Sequence, residues 1–276
     1  MELRNVWIIG QKELRDARRS RWLLLFGIAF SLLSLSLAWL GLSSFFGSGV
    51  AGFGRTAASL VNLVLLLVPL IGLTLGALAV AGERERGTLL CLLAQPVAAG
   101  EVLYGKFLGL SLALGASLAA GFGATGAVIA WRAGGAQVGA YLAMVGLAAL
   151  LAMAALALGL LISCLTRSGA GAAGAALFAW LALAFLGDLG VMASALALKL
   201  DIRALLAVSL LNPLQAFKLA AVVAVRGGGE VLGPAGAFAA DRFGAALLPI
   251  AVSILAAWIV APLGAAGVVL RRRGAV

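Results

Sequence analysis

The chain contains no histidine, two cysteines, and few charged residues: Asp, Glu, Lys and Arg together make up 11% of its 276 residues. Each scarcity excludes something. Without histidine there is no Ser/His/Asp set, and no His/Cys/carboxylate cluster with metal-ligand spacing is visible. Cys91 and Cys164 both fall near expected cytoplasmic ends, so no disulfide framework is expected. A soluble domain carries about 25% charged residues. A chain that is 64% hydrophobic, with mean hydropathy +1.16, cannot hide its apolar surface in a water-soluble core. Transmembrane β-strands would alternate in short segments. Here apolar runs of about 20 residues or more recur, which reads as an all-α polytopic membrane protein.

The runs predict six transmembrane helices: Trp22–Leu42, Ser59–Ala81, Lys106–Trp131, Gly139–Leu165, Gly169–Leu198 and Ala245–Leu270. The whole chain reads as a single transmembrane domain, 1–276. Residues 1–21 are too charged, and the following run too long, for a cleaved signal peptide. Within them Leu3, Val6, Trp7, Gly10, Leu14 and Ala17 recur at helical spacing, with Lys12, Arg15, Arg18 and Arg19 on other faces. That pattern predicts an amphipathic helix lying on the inner membrane surface. Asp16 stands four residues from Lys12 and three from Arg19, where helical neighbours meet.

The net charge of +10 would suggest nucleic acid in a soluble protein. Here the basic residues flank apolar runs, so they report topology and no nucleic-acid partner is expected. Arg4, Lys12, Arg15, Arg18, Arg19, Arg21, Arg84, Arg86, Lys106, Arg167 and Arg271–Arg273 fall on one side. Arg55 and Arg132 occupy the opposite short loops, while the stretch after the fifth run carries Lys199, Arg203, Lys218, Arg226 and Arg242. Both termini are expected in the cytoplasm. Leu205–Val225 is also apolar, but Asn212-Pro213 interrupts it and Gln215 and Lys218 follow. A seventh span would put Arg271–Arg273 outside, so residues 199–244 are read as an external segment lying at the interface.

Residues 82–105 form the one cytoplasmic loop with grammar. Glu83, Arg84, Glu85 and Arg86 alternate in sign, Gly87 and Thr88 open a Leu-rich turn at Leu89, and Pro96 stops it. Thr88 is expected to cap that turn. Such a loop is built to be touched by a partner. Two nucleotide-like patterns are rejected. Gly100 to Lys106 has phosphate-loop spacing, but Phe107 stands where Ser or Thr is needed for magnesium. Gly47 to Gly52 has dinucleotide spacing without a βαβ unit.

Two polar residues fall inside the runs. A carboxylate in the membrane costs several kcal/mol unless paired or hydrated, which makes Asp188 a transport-pathway candidate. The other reading is a helix broken by Gly187 and Gly190, with Asp188 at the outer headgroups. Asn62 is a weaker pathway candidate, since amides also glue helices together. Gly72-x-x-x-Gly76 and Gly105-x-x-x-Gly109 permit close helix packing, although 37 glycines produce such spacings by chance.

The leader, the six runs, the Glu83-x-x-x-Gly87-Thr88-Leu89 loop with Pro96 and Gly105-Lys106, and the segment before the last helix resemble the type 2 ABC exporter permease family. The resemblance spans nearly the whole chain. It implies that residues 82–105 are a coupling loop for a separate cytoplasmic ATPase subunit, which binds ATP and magnesium. This chain would then be a permease rather than an enzyme, paired with a second copy of itself in the bilayer of the bacterial inner membrane. Lys12-Glu13-Leu14, Arg21-Trp22-Leu23-Leu24, Gly105-Lys106-Phe107, Asp188-Leu189-Gly190 and Leu211-Asn212-Pro213 are similar to permeases that serve nitrous oxide reductase maturation. That likeness implies a NosF-like ATPase, a periplasmic β-helical protein of the NosD kind, a copper chaperone as a further candidate, and a role in assembling a copper–sulfur centre. Copper passage wants thiolate, thioether or imidazole ligands. With no histidine, four methionines and no external cysteine, a sulfur species or transmitted motion fits better. Export of a drug, lipid or peptide by the same kind of permease, and a scaffold that moves nothing, are the competing readings.

Overall fold

The computed structural model describes residues 2–43, 50–133, 138–197, 209–224 and 246–273, and they are almost wholly helical. In chain order the helices are α1 (Leu3–Arg19), α2 (Arg21–Ser43), α3 (Val50–Glu85), α4 (Thr88–Leu93), α5 (Ala99–Ala133), α6 (Val138–Leu165), α7 (Gly169–Ala197), α8 (Pro213–Ala224) and α9 (Leu247–Arg273). Among the described residues, five stretches are long and apolar enough to cross a membrane: Arg21–Gly41, Thr56–Glu85, Ala99–Arg132, Val138–Leu165 and Leu247–Arg272. The apolar stretch of α7, Gly169–Phe185, is shorter.

The helices outrun the apolar runs that predict them. At about 1.5 Å per residue, α3 and α5 are each more than 50 Å long. A hydrocarbon core is about 30 Å thick. Both helices therefore project beyond it, and most of residues 82–105 is helix rather than loop. Only residues 86–87 and 94–98 separate α3, α4 and α5.

Small residues hold the bundle together at close range. Gly72 and Gly76 of α3 face Ala152, Ala155, Leu156 and Gly159 of α6, and a Cβ at Gly76 would collide with the Leu156 carbonyl. The Ser163 hydroxyl accepts from the backbone N–H groups of Val80 and Ala81 at 2.9 and 2.8 Å. Gly105 and Gly109 do the same for α1 on α5: a Cβ at Gly105 would stand 2.7 Å from Ile9 Cβ, and one at Gly109 2.7 Å from Glu13 Cβ. Both glycine pairs thus sit at real helix contacts.

The rotation of α1 differs from the sequence expectation. Its buried face is Val6, Ile9, Gly10, Glu13 and Ala17, whereas Leu3 and Trp7 are 80% and 53% exposed. The periodicity of the apolar residues predicts a helix correctly. It cannot say that a glutamate lies on the inward face, because that depends on a lysine about ninety residues away.

Of the segment 199–244, only residues 209–224 are described. Asn212 is the N-cap of α8: its Oδ1 accepts from Leu214 N at 2.9 Å, and Pro213 takes the first helical position, where no N–H is missed. Its Nδ2 donates to Leu183 O at 2.6 Å. Eight residues of α8 are buried, among α6, α9, α3 and α7, with Phe217 fully covered. A helix lying along the interface would keep one face open. This one is tucked into the bundle instead.

Candidate functional site

The site begins where α3 stops. Gly87 adopts φ +73°, a left-handed conformation that side chains resist, and its N–H donates to Arg84 O at 3.0 Å. The chain then restarts as α4. Gly87 is the N-cap, with no side-chain cap bond. Thr88 therefore does not cap the turn as expected: its Oγ1 donates backward to Glu83 O at 3.2 Å. The αL glycine already turns the chain, which leaves the threonine hydroxyl beside the end of α3. Gln95 N to Leu92 O, at 3.3 Å, closes the far side before Pro96.

The six residues of α4 have an inside and an outside. Leu89, 1% exposed, inserts among Val80, Leu103, Leu263 and Leu270. Leu90 is 61% exposed, and Arg86, Thr88, Gln95 and Pro96 are also exposed. Leu270 belongs to the last helix, and a Cβ on Gly100 would lie 3.4 Å from Arg271 Nη2. α1, α4 and the C-terminal end of α9 thus share one end of the molecule.

The alternating charges are divided between protein and solvent. Glu83 Oε1 accepts from Lys106 Nζ at 2.8 Å and from Lys12 Nζ at 3.3 Å. Arg84 Nη1 donates to Thr166 O, at the end of α6. Glu85 Oε2 accepts from Gly169 N at 2.8 Å, which caps the start of α7. Arg86 Nε turns back to Gly82 O at 2.9 Å and stays exposed. Three of the four charges therefore tie the root of α4 to α1, α5, α6 and α7.

Four charges meet at that root. Glu13 Oε1 accepts from Lys106 Nζ at 2.8 Å and from Lys12 Nζ at 3.2 Å. The Lys106 side chain is 1% exposed, those of Glu13 and Glu83 10% and 13%. Two carboxylates and two ammonium groups balance in sign, which lets Lys106, Glu13 and Glu83 lie away from water while Lys12 stays half exposed at the edge. Burial works against charge on Lys12, but Glu13 and Glu83 outweigh it and hold the Lys12 ammonium above its ordinary value. Asp16 adds a further contact to Lys12, at 3.6 Å, as helical spacing predicts. Glu101 staples the other end of α1: it accepts from Glu2 N at 2.6 Å, Asn5 Nδ2 at 3.1 Å and Ala98 N at 3.2 Å.

Sequence reasoning reads Lys106 as the end of a false phosphate loop and leaves Glu13 and Glu101 without a role. The Gly100–Lys106 stretch is in fact part of α5. The available signal was charge at the edge of apolar runs, where an unpaired lysine would be costly.

Asn62 and Asp188 are not part of this cluster. Asn62 is exposed on α3, about 30 Å from Glu83 along the helix at its rise per residue. Asp188 lies in α7, and its side chain falls outside the described residues. The preceding residue, Gly187, fits against α8: a Cβ there would stand 2.8 Å from both Asn212 Nδ2 and Gln215 Nε2.

Residues 7–275 match the family described as ABC-2 family transporter protein. The chain belongs to that family. This ABC-2 permease is 34% identical, over 98% of its length and 99% of the relative's, to a protein of Stutzerimonas stutzeri named probable ABC transporter permease protein NosY. A protein of the same name from Pseudomonas aeruginosa is 38% identical over 68% of this chain and 70% of its own length. The permease is thus an integral membrane subunit of an ABC transporter, like those relatives.

Proposed function

We propose that this chain is the membrane subunit of an ATP-driven complex of the nitrous oxide reductase maturation system, with α4 as the element a cytoplasmic ATPase presses on. The observation that carries the reading is the build of α4. Thr88 and Leu90 of α4, with Arg86, Gln95 and Pro96 flanking it, are open, while its root is fixed to four other helices by charge. A push on Leu90 would reach α1 and α5 through Glu83 and Lys106 without being absorbed by a soft loop.

In this reading the partners are a NosF-like ATPase on the α4 side, a NosD-like β-helical protein on the other, and a second copy of the chain. Both termini are cytoplasmic, in the bacterial inner membrane, and α7 makes the sixth crossing. Asp188 and Asn62 would lie along the pathway. Asn62 supports this by exposing an amide in a membrane helix, where a partner surface or water must satisfy it. The donor chemistry of the chain favours a sulfur-containing species, or motion passed to the periplasmic partner, over bare copper.

Co-expression with the neighbouring genes and purification on a tag carried by this chain tests the reading. The expected result is a separate ATPase in the complex, and a reductase lacking its copper–sulfur centre when the permease is deleted. A complex with an ATPase but a normal reductase would point to export of a drug, lipid or peptide. Absence of any ATPase would leave only a scaffold. Cysteine at Gly228 should react with an impermeant reagent from outside and cysteine at Gln95 should not.

A further inference from the structure

A groove remains that the coupling site does not use. It lies where α1 gives way to α2, against α5, and its volume is about 620 Å³. Leu24, Ile28 and Leu32 form one wall, and Ala113, Ala116 and Ala120 the other. Small side chains keep it open: a Cβ on Gly27 would still be 3.6 Å from Ser117. From Leu23 to Leu32 the groove runs about 14 Å at the helical rise. One leaflet of a hydrocarbon core is about 15 Å deep. The groove thus has the length and lining of a single acyl chain.

Its mouth is basic. Arg18 lines it, and Arg15, Arg19 and Arg21 are exposed on the same turns. The nearby acid, Asp16, is engaged by Lys12. None of these four arginines forms an ion pair with a described residue. An apolar slot one leaflet deep, with guanidinium groups at the depth of headgroups, is complementary to a phospholipid carrying net negative charge.

We propose that this groove is a binding site for an anionic phospholipid, with one acyl chain between α2 and α5 and the phosphate on Arg18. The lipid wedges the end of α1 against the bundle, close to the Lys12 and Glu13 cluster. The proposal depends on the membrane character of the chain and not on its cargo.

Native mass spectrometry of the full chain, released from detergent and titrated with phosphatidylglycerol, phosphatidylcholine or inorganic phosphate, tests it. Phosphatidylglycerol should bind in preference to phosphatidylcholine, and inorganic phosphate should not displace it. Arg18→Gln should weaken phosphatidylglycerol about fivefold, the effect of one basic residue at an anionic surface. Ala116→Leu, at an exposed position, should block the groove and abolish the preference. Equal binding of both lipids, or undiminished phosphatidylglycerol binding in both variants, overturns the proposal. So does an Ala116→Leu variant that dissociates copies of the chain while keeping its lipid, because the groove would then seat a second copy. If Ala116→Leu fails to fold, Arg18→Gln decides alone.

Discussion

Lys106 reaches Glu83 across 2.8 Å, from the early turns of α5 to the last turn of α3, with 1% of its side chain left to solvent. The same ammonium lies 2.8 Å from Glu13 on α1. One buried lysine therefore joins three helices at the root of α4. Taking away one member of a buried ion pair costs about 3–5 kcal/mol, because the partner stays behind uncompensated. Lys106→Met should lose about that much. Thermal unfolding of the purified chain reads it, and adding Glu83→Gln should recover part of the loss by removing the stranded charge.

The inward and outward charges of the loop should separate in experiment. Glu83→Lys places a third cation beside Lys12 and Lys106, so it should lower the melting temperature. Leu90→Asp touches nothing inside and should leave melting unchanged, while releasing the ATPase or uncoupling its hydrolysis. An ATPase that binds and works normally with Leu90→Asp would remove α4 as the docking element, whatever Glu83→Lys does.

Gly87 and Thr88 can be ranked in the same way. Gly87→Ala forces a Cβ into the left-handed region and should cost about 1 kcal/mol or slightly more. Thr88→Val loses one exposed hydrogen bond to Glu83 O and should cost no more than about 0.5 kcal/mol. A larger loss at Thr88 than at Gly87 would restore the threonine as the cap.

The helices could be read because long apolar runs leave few alternatives, and both glycine pairs were visible as spacings. The ends of α3 and α5 could not. Gly82–Glu85 is charged and Ala99–Gly105 holds two glycines and Glu101, so both pass for loop, while their partners on α1, α6 and α7 lie far away in sequence. The alternation Glu83, Arg84, Glu85, Arg86 looks the same whether its charges face a partner protein or cap neighbouring helices. Here Glu85 meets Gly169, and Arg84 meets Thr166. Such pairings join residues more than eighty positions apart, which no local pattern encodes. In sequence, Asn212-Pro213 reads as an interruption of an apolar run. It is in fact the cap that starts a buried helix.

The Lys12 ammonium offers a pH test whose sign is fixed. Its folded-state value is raised above the ordinary 10.5, against the cost of burial, by Glu13 and Glu83. A raised lysine contributes stability that is fully present below its unfolded value and is lost as pH rises through the folded one. Between pH 6 and 9 the melting temperatures of the wild type and Lys12→Met should therefore differ by a constant amount. Above about pH 10.5 that gap should close, as the folded protein loses the same proton the variant never had. Other lysines titrate in that range too, so the difference between the two proteins is the quantity to follow. A gap that begins to close near neutral pH would mean that Lys12 is not held by the carboxylates. A gap that stays open at high pH would mean that the variant is weakened by lost packing of the lysine stem, not by lost charge.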